Sequence, residues 1–253
     1  AGAAFLSACA AYTVGAGLVQ IYTASENRLA LQELLPEAII SCYDSYDDSQ
    51  LSHLLDWADV VCIGCGLGMG QISEKILKNV LKNVSCPCVI DADGLNLLSR
   101  NIELLNQCCA PVILTPHMKE MSRLTGWSID TIMEDRFQAL DQIIKQSGPD
   151  TKSSIICVLK DSRTVVAQTN RQRFVNLAGN NSMAKGGSGD VLAGTIAGLL
   201  AQHMAPFEAT TVGVFLHACG GDEAKKSKGS YSVLARDLIQ GMADAMKNAK
   251  ECR

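Results

Sequence analysis

The stretch Met183-Ala184-Lys185-Gly186-Gly187-Ser188-Gly189-Asp190-Val191-Leu192-Ala193-Gly194 places three glycines and an acid directly ahead of an apolar run. Glycines let successive backbone N–H groups converge, and a helix starting behind them adds its positive end, which predicts a site for phosphate oxygens. An acid at that point opposes an anion. It makes chemical sense if Asp190 touches the hydroxyl that attacks the phosphorus and takes its proton. A helix N-terminus weakens a carboxylate as a base, but a loose phosphoryl-transfer transition state asks little of the base until late. The plainer alternative is helix capping by Ser188 and Asp190 behind a flexible loop.

Three further segments could carry chemistry. Gly64-Cys65-Gly66-Leu67-Gly68-Met69-Gly70 follows a strand-like run and precedes a helical one, so it is either a close-approach loop for a large ligand or a tight turn. Met69 stands where a dinucleotide fingerprint needs Gly or Ala, which argues against a Rossmann oxidoreductase, and the chain has no Gly-Lys dipeptide, which excludes a Walker P-loop. Asp91 and Asp93 lie at a strand end, where they would hold Mg²⁺ through water or where Asp93 would cap the next helix. Leu114-Thr115-Pro116-His117-Met118-Lys119-Glu120 again runs from strand into helix and puts His117 and Glu120 at a ligand edge. His217, inside Val214-Phe215-Leu216, reads as a core or interface histidine, and His53 and His203 carry no signal. Cys62-x-x-Cys65 and Cys86-x-Cys88 lack a second pair at zinc spacing, so a zinc site is excluded, and no nucleophile elbow occurs.

The elements that must position these residues follow a βα rhythm. Strand-like runs occur at Leu18 to Thr23, Ala38 to Cys42, Val60 to Ile63, Cys88 to Asp91, Val112 to Leu114 and Ile155 to Leu159, with helical stretches between them. This predicts an α/β fold with a mostly parallel sheet, right-handed crossovers and ligands beyond the carboxyl ends of the strands. Thr164 to Gln168 and Gln172 to Asn176 predict a late antiparallel hairpin around Thr169-Asn170-Arg171, and Asp190 to Gln202, Pro206 to Lys226 and Ser232 to Lys250 predict three helices. No linker-like tract divides residues 1–253, which predicts a single domain. Ala1 to Ser25 carries no charge, but without a basic segment before it, and with Gly15 and Gly17 inside it, it reads as a buried helix and strand rather than a leader or membrane span.

Composition agrees. The 253 residues are 47% hydrophobic, 19% charged and 5% aromatic, with a net charge of −4, which excludes a disordered chain and argues against nucleic acid or an anionic membrane as partner. Eleven cysteines, odd in number and several inside apolar runs, predict reduced thiols and a cytoplasmic protein.

Taken in order, Gly64-Cys65-Gly66-Leu67-Gly68, Asp91-Ala92-Asp93-Gly94-Leu95-Asn96, Leu114-Thr115-Pro116-His117-x-x-Glu120, Leu159-Lys160 and the Met183 to Gly194 stretch resemble the ADP- or ATP-dependent NAD(P)H-hydrate dehydratase family of the ribokinase-like superfamily over almost the whole chain. The resemblance implies a three-layer αβα sandwich. It also implies repair of NADH or NADPH hydrate by phosphorylation of the ring hydroxyl and loss of phosphate, with ADP or ATP as donor and Mg²⁺. Asp190 would be the base and contact the hydrate. Ala3, Gly66, Gly68, His117, Met118, Lys119, Glu120 and Arg123 would face the hydrate, and Lys160, Asp161, Ser162, Arg163, Thr164, Asn180, Gly186, Gly187, Ser188 and Gly189 would border the nucleotide. It further implies a homotetramer, and in many members an upstream NAD(P)H-hydrate epimerase domain.

The chain departs from the family pattern at Cys65 (commonly Pro), Asp161 (Gly), Ser182 (Gly) and Ser188 (Thr). Ala1-Gly2-Ala3 resembles the helix after the family's first strand and glycine loop, so those two are expected to be missing. Two other readings are compatible with the motifs: a ribokinase-like vitamin-precursor kinase such as hydroxyethylthiazole kinase, and a non-catalytic adenine-nucleotide-binding module.

Overall fold

The computed structural model describes residues 1–146, 154–169 and 172–251. In chain order the elements are α1 (Gly2–Thr13), β1 (Gln20–Ala24), α2 (Arg28–Leu34), β2 (Ile39–Tyr43), α3 (Asp48–Trp57), β3 (Val61–Ile63), α4 (Gln71–Asn83), β4 (Cys88–Ile90) and α5 (Ala92–Leu98). There follow β5 (Val112–Leu114), α6 (Met118–Thr125), α7 (Ile129–Glu134), α8 (Arg136–Ile144), β6 (Ile155–Leu159), β7 (Val165–Gln168), β8 (Arg173–Val175), α9 (Ser188–Leu200), α10 (Pro206–Lys228) and α11 (Ala235–Glu251). Every strand-like run of the sequence is a strand. Asn170 and Arg171, at the expected hairpin tip, lie outside the described residues.

The chain divides into two compact units, Ala1–Asp44 with Asn176–Arg253, and Ser45–Val175. In the second unit, six strands pair in the order β3-β4-β5-β6-β7-β8, parallel through β6 and antiparallel for the last two pairs. All residues of β4, β5 and β6 are buried. That is why these strands read as unbroken apolar runs rather than alternating ones. Cys88 and Cys157 belong to this core, and burial pushes both thiols well above their ordinary value, as expected of cysteines serving as small hydrophobes.

The first unit holds a parallel pair, β1 with β2, as a sheet of its own. The rhythm of the sequence told which segments are strands but not which of them pair. The charge-free start of the chain has a direct explanation: α1 packs on two sides. Ala10 joins Val191, Val233, Leu238 and Met242 in one cluster, while Ala8 joins Ile21, Leu31 and Leu35 in another. Against α9 the fit is backbone to backbone, for a Cβ on Gly194 would stand 2.0 Å from the Ser7 carbonyl oxygen. No helix among the described residues is long and apolar enough to cross a membrane.

Candidate functional site

In the first unit the glycine-rich segment forms the approach to α9. Its N-cap is Gly187, at φ +91°, and no side chain caps the helix. The N-cap position itself is thus a glycine and brings no side chain to the helix start. The first N–H groups of a helix lack intrahelical acceptors and can take an anion; here that of Ser188 donates to the Lys185 carbonyl at 3.3 Å. A side chain at 187 would strain the backbone and meet Leu6 Cδ1 at 2.6 Å and Ala235 Cβ at 3.0 Å. Asp190 lies in the first turn, its Oδ2 4.0 Å from where that Cβ would be, so the carboxylate lies beside the glycine loop.

Ahead of this loop, Asn180 caps the short 3₁₀ turn Asn181–Met183. Its Oδ1 accepts the Ser182 N–H at 3.0 Å and the Ser182 hydroxyl, and its Nδ2 donates to Asp222 Oδ1 at 2.7 Å. Asp222 Oδ2 also accepts the Gly179 N–H at 3.1 Å. The Asn180 side chain is thus committed to shaping the loop. Ser182, where the family pattern has glycine, is buried and closes this turn. Lys185 Nζ donates to the Tyr231 carbonyl at 3.1 Å, and the Ser188 hydroxyl lies 3.3 Å from His217 Nε2. His217 is 8% exposed, as its apolar neighbours suggested, but it faces the loop rather than only a core. Ala3 lies in α1 of this unit, partly buried.

In the second unit, the ends of β4, β5 and β6 bring a charged cluster together. Asp91, 1% exposed, accepts from Lys160 Nζ at 2.6 Å and from the Thr115 hydroxyl at 2.8 Å through the same oxygen. Lys160 Nζ is also 3.9 Å from Glu120 Oε2. Burial opposes the Lys160 charge, but the Asp91 and Glu120 carboxylates beside it outweigh that and raise its pKa. Lys160 continues the sheet by one bridge to His117, its N–H donating to the Pro116 carbonyl at 2.8 Å.

His117 is the N-cap of α6 in a reciprocal capping box. Its Nδ1 accepts the Lys119 and Glu120 N–H groups at 3.1 and 3.2 Å, and Glu120 Oε2 accepts the His117 N–H at 2.8 Å. An Nδ1 that accepts puts the ring proton on Nε2, which lies 3.5 Å from Glu120 Oε1. Burial, then the Lys160 charge, lowers the His117 pKa, while burial raises that of Glu120. Met118 and Lys119 open α6, and Arg123 on the same helix donates to Asn96 Oδ1 at 2.6 Å.

Asp93 does not cap the next helix. Its Oδ2 accepts the Gly68 N–H at 2.8 Å, tying the early glycine loop to the end of β4. Gly64 begins that loop at φ +116°, and a Cβ there would stand 1.8 Å from the Asp91 carbonyl oxygen, so the close approach the glycines suggested is first of all to the chain's own backbone. Gly66 is exposed beyond it. Of the acid pair expected to hold magnesium, Asp91 Oδ1 takes the Lys160 ammonium at 2.6 Å and Asp93 Oδ2 takes the Gly68 N–H at 2.8 Å. After β6, Asp161 pairs with Arg136 at 2.8 Å, which neutralises the acid that replaces the family's glycine. Thr164 closes this turn on the Asp161 carbonyl at 3.2 Å, with Ser162 and Arg163 exposed within it. Lys160 is placed with Asp91, Glu120 and His117, its ammonium turned into the acid cluster.

Sequence reasoning missed Asp222, which lies 42 residues from Asn180 on α10. It also missed Thr115 and Arg136 as partners, because only strand and helix pairing reveals them.

Comparison with known proteins agrees with these motifs. A sequence model of the family described as NAD(P)H-hydrate dehydratase matches residues 1–243. The bifunctional NAD(P)H-hydrate repair enzyme of Moorella thermoacetica is 34% identical over 258 residues, covering 99% of this chain and 48% of that protein. The ADP-dependent (S)-NAD(P)H-hydrate dehydratase of Neisseria meningitidis serogroup B is 35% identical over 252 residues, 98% of this chain and 81% of that one. The chain thus spans about half the length of the bifunctional relatives and most of the shorter one. Among solved structures, the ADP/ATP-dependent NAD(P)H-hydrate dehydratase of Bacillus subtilis, co-crystallised with ATP and Mg²⁺ and soaked with CoA, superposes with a TM-score of 0.82 at 28% identity, covering 98% of this chain and 87% of that one. With the family's sequence pattern spanning nearly its whole length on an α/β fold of the same kind, the chain belongs to the NAD(P)H-hydrate dehydratase family.

Proposed function

We propose that this chain dehydrates NADH or NADPH hydrate back to the intact dihydronicotinamide at the expense of ADP or ATP. The observation that carries the reading is the uncapped start of α9, a glycine loop with an acid in its first turn, in a chain of this family. Asp190 accepts the proton of the hydrate's ring hydroxyl as its oxygen attacks the terminal phosphorus, and the bond from that phosphorus to the nucleotide breaks. Backbone N–H groups from Gly186 to Gly189 hold the transferring phosphoryl. Phosphate is a far better leaving group than hydroxide. Phosphate departs with the C–O electrons as the ring nitrogen pushes in its lone pair, and the neighbouring carbon loses a proton to restore the double bond.

In this reading Ser162 to Thr164 border the nucleotide, as does the loop from Asn180. Gly66, the His117 to Arg123 segment and Ala3 face the hydrate. Mg²⁺ accompanies the nucleotide phosphates, as the co-crystallised relative suggests, and no protein ligand for it is assigned. The names and greater length of the bifunctional relatives support an accompanying domain in a longer protein. A homotetramer and a cytoplasmic setting complete the proposal, the first measurable by light scattering.

The test is to incubate the protein with NADH hydrate and ADP or ATP while following the absorbance of reduced nicotinamide. A dehydratase restores it. A kinase that stops at the phosphoester consumes nucleotide without that recovery, and a binding module does neither; either outcome overturns the proposal.

A further inference from the structure

Asp222 takes no part in the reaction proposed above, yet it accepts two hydrogen bonds from the start of the loop that leads to Asp190. One carboxylate oxygen takes the Gly179 backbone N–H at 3.1 Å, and the other takes Asn180 Nδ2 at 2.7 Å. Asn180 Oδ1 then takes the Ser182 N–H at 3.0 Å, so the chain from α10 through Asp222 and Asn180 to the 3₁₀ turn at Asn181–Met183 has its donors and acceptors alternating. Met183, which ends that turn, packs against Gly179 and Gly221, where added Cβ atoms would meet its sulfur at 3.1 and 2.3 Å. Both the polar bridge and the thioether contact tie the start of the loop to one turn of α10. Five residues earlier on the same helix, His217 lies 3.3 Å from the Ser188 hydroxyl at the loop's other end.

We propose that Asp222 is a positioning residue for the phosphoryl-binding loop, acting through Asn180, and that it sets nucleotide affinity rather than the rate of the chemical step. Charge alone argues for this division. A carboxylate in contact with the nucleotide would repel its phosphates. Spent on a backbone N–H and a side-chain amide, it fixes the loop's starting angle, and glycines 186, 187 and 189 have no side chains with which to fix it for themselves. A loop held in its binding shape binds more tightly because less ordering is left to the ligand.

This inference rests on the reading of the loop as a nucleotide site, and a polarity swap tests it. In D222N the amide offers one acceptor where two donors need one each, and KM for ADP or ATP is expected to rise about tenfold, with kcat within about twofold of wild type. N180D, which sets two carboxylates against each other, is expected to raise KM at least as far. The D222N/N180D double variant restores the pattern, with the amide at 222 accepting from Gly179 and donating to the carboxylate at 180, and its KM is expected to return to within about threefold of wild type. A purely architectural role would lower melting temperature and active fraction without moving KM. Unchanged KM in D222N, or a double variant no better than the singles, overturns the proposal. If D222N does not fold, the double variant alone decides by the same KM criterion. If wild-type protein fails to restore NADH from its hydrate, the functional reading falls, and the dissociation constant for ADP by calorimetry replaces KM. Tenfold weaker binding in D222N with recovery in the double variant then supports the positioning role, and identical binding in all variants overturns it.

Discussion

The glycine loop before α9 and the cluster at the ends of β4, β5 and β6 solve opposite electrostatic problems. The loop presents backbone N–H groups, an uncapped helix start and one acid, with the polar side chains around it bonded to neighbours that shape the chain. The attraction for an anion proposed for it would come from partial charges on the backbone. The cluster instead holds full charges, Asp91, Glu120 and Lys160, that satisfy one another at 2.6 and 3.9 Å. A region meant to take an incoming anion has donors to spare; a region meant to hold strand ends and a helix start in register has none. The first is where the proposal above puts the phosphoryl group, and the second is internally paired, with His117 and Lys119 exposed at its edge.

The sharpest way to break this contrast is D190N. Turnover should fall about 10³-fold, while ADP affinity, carried by the backbone, stays within a few-fold by calorimetry. Loss of binding instead of turnover would make the acid part of the scaffold. Next in size, K160A strands the buried Asp91 charge and should cost about 3–5 kcal/mol by urea denaturation. Adding D91N should recover much of that, because the orphaned charge is then gone. Little loss in K160A would show that the cluster is not internally paired. Third, H117A removes the acceptor for two N–H groups of α6 and should cost about 1 kcal/mol. H117N should retain most of it, since asparagine is a good cap.

The fourth prediction concerns pH. The His117 pKa lies below its ordinary 6.5, so the unfolded chain takes up a proton more readily there, and stability is lost as pH falls from about 6.5 through the folded value. Glu120 acts in the other sense. Its pKa is raised above 4.5, so its ionised form costs stability that returns as pH falls through the folded value. H117N should therefore flatten stability against pH just below 6.5 while leaving the Glu120 limb in place. A profile identical to wild type would mean that His117 carries no linked proton. The smallest effect is expected at Ala92, which holds φ +47° as the first residue of α5. That conformation costs an alanine about 1 kcal/mol or slightly more, so A92G should raise stability by a fraction of that once glycine's greater unfolded-state entropy is set against it. A loss would show the strain to be compensated by its surroundings.

The sequence was most readable where structure is local. Buried parallel strands announce themselves as short runs of Val, Ile, Leu and Cys, and the glycine segment announces the start of α9. Pairing is where it became opaque. Asp91 and Asp93 look alike in the sequence, two acids one residue apart. Yet one reaches Lys160, 69 residues on, and the other reaches back 25 residues to Gly68. Which way each points is decided by the turn at Ala92 and by which strands lie side by side, and neither is written in the spacing. His117 shows the same limit: its position between a strand and a helix was evident, but its work as a helix cap depends on Glu120 returning the bond.

The contact at Gly194 governs how this family member can vary. Gly194 lies one turn beyond Asp190, and it is the Ser7 carbonyl, not a side chain, that presses on it. Side chains on that stretch of α1 can drift without moving the helix that carries the acid, since every L-residue brings the same carbonyl. What the contact does not tolerate is growth on the α9 side, even by one methyl. The position of the acid is thus insured against mutation in one helix and exposed to it in the other.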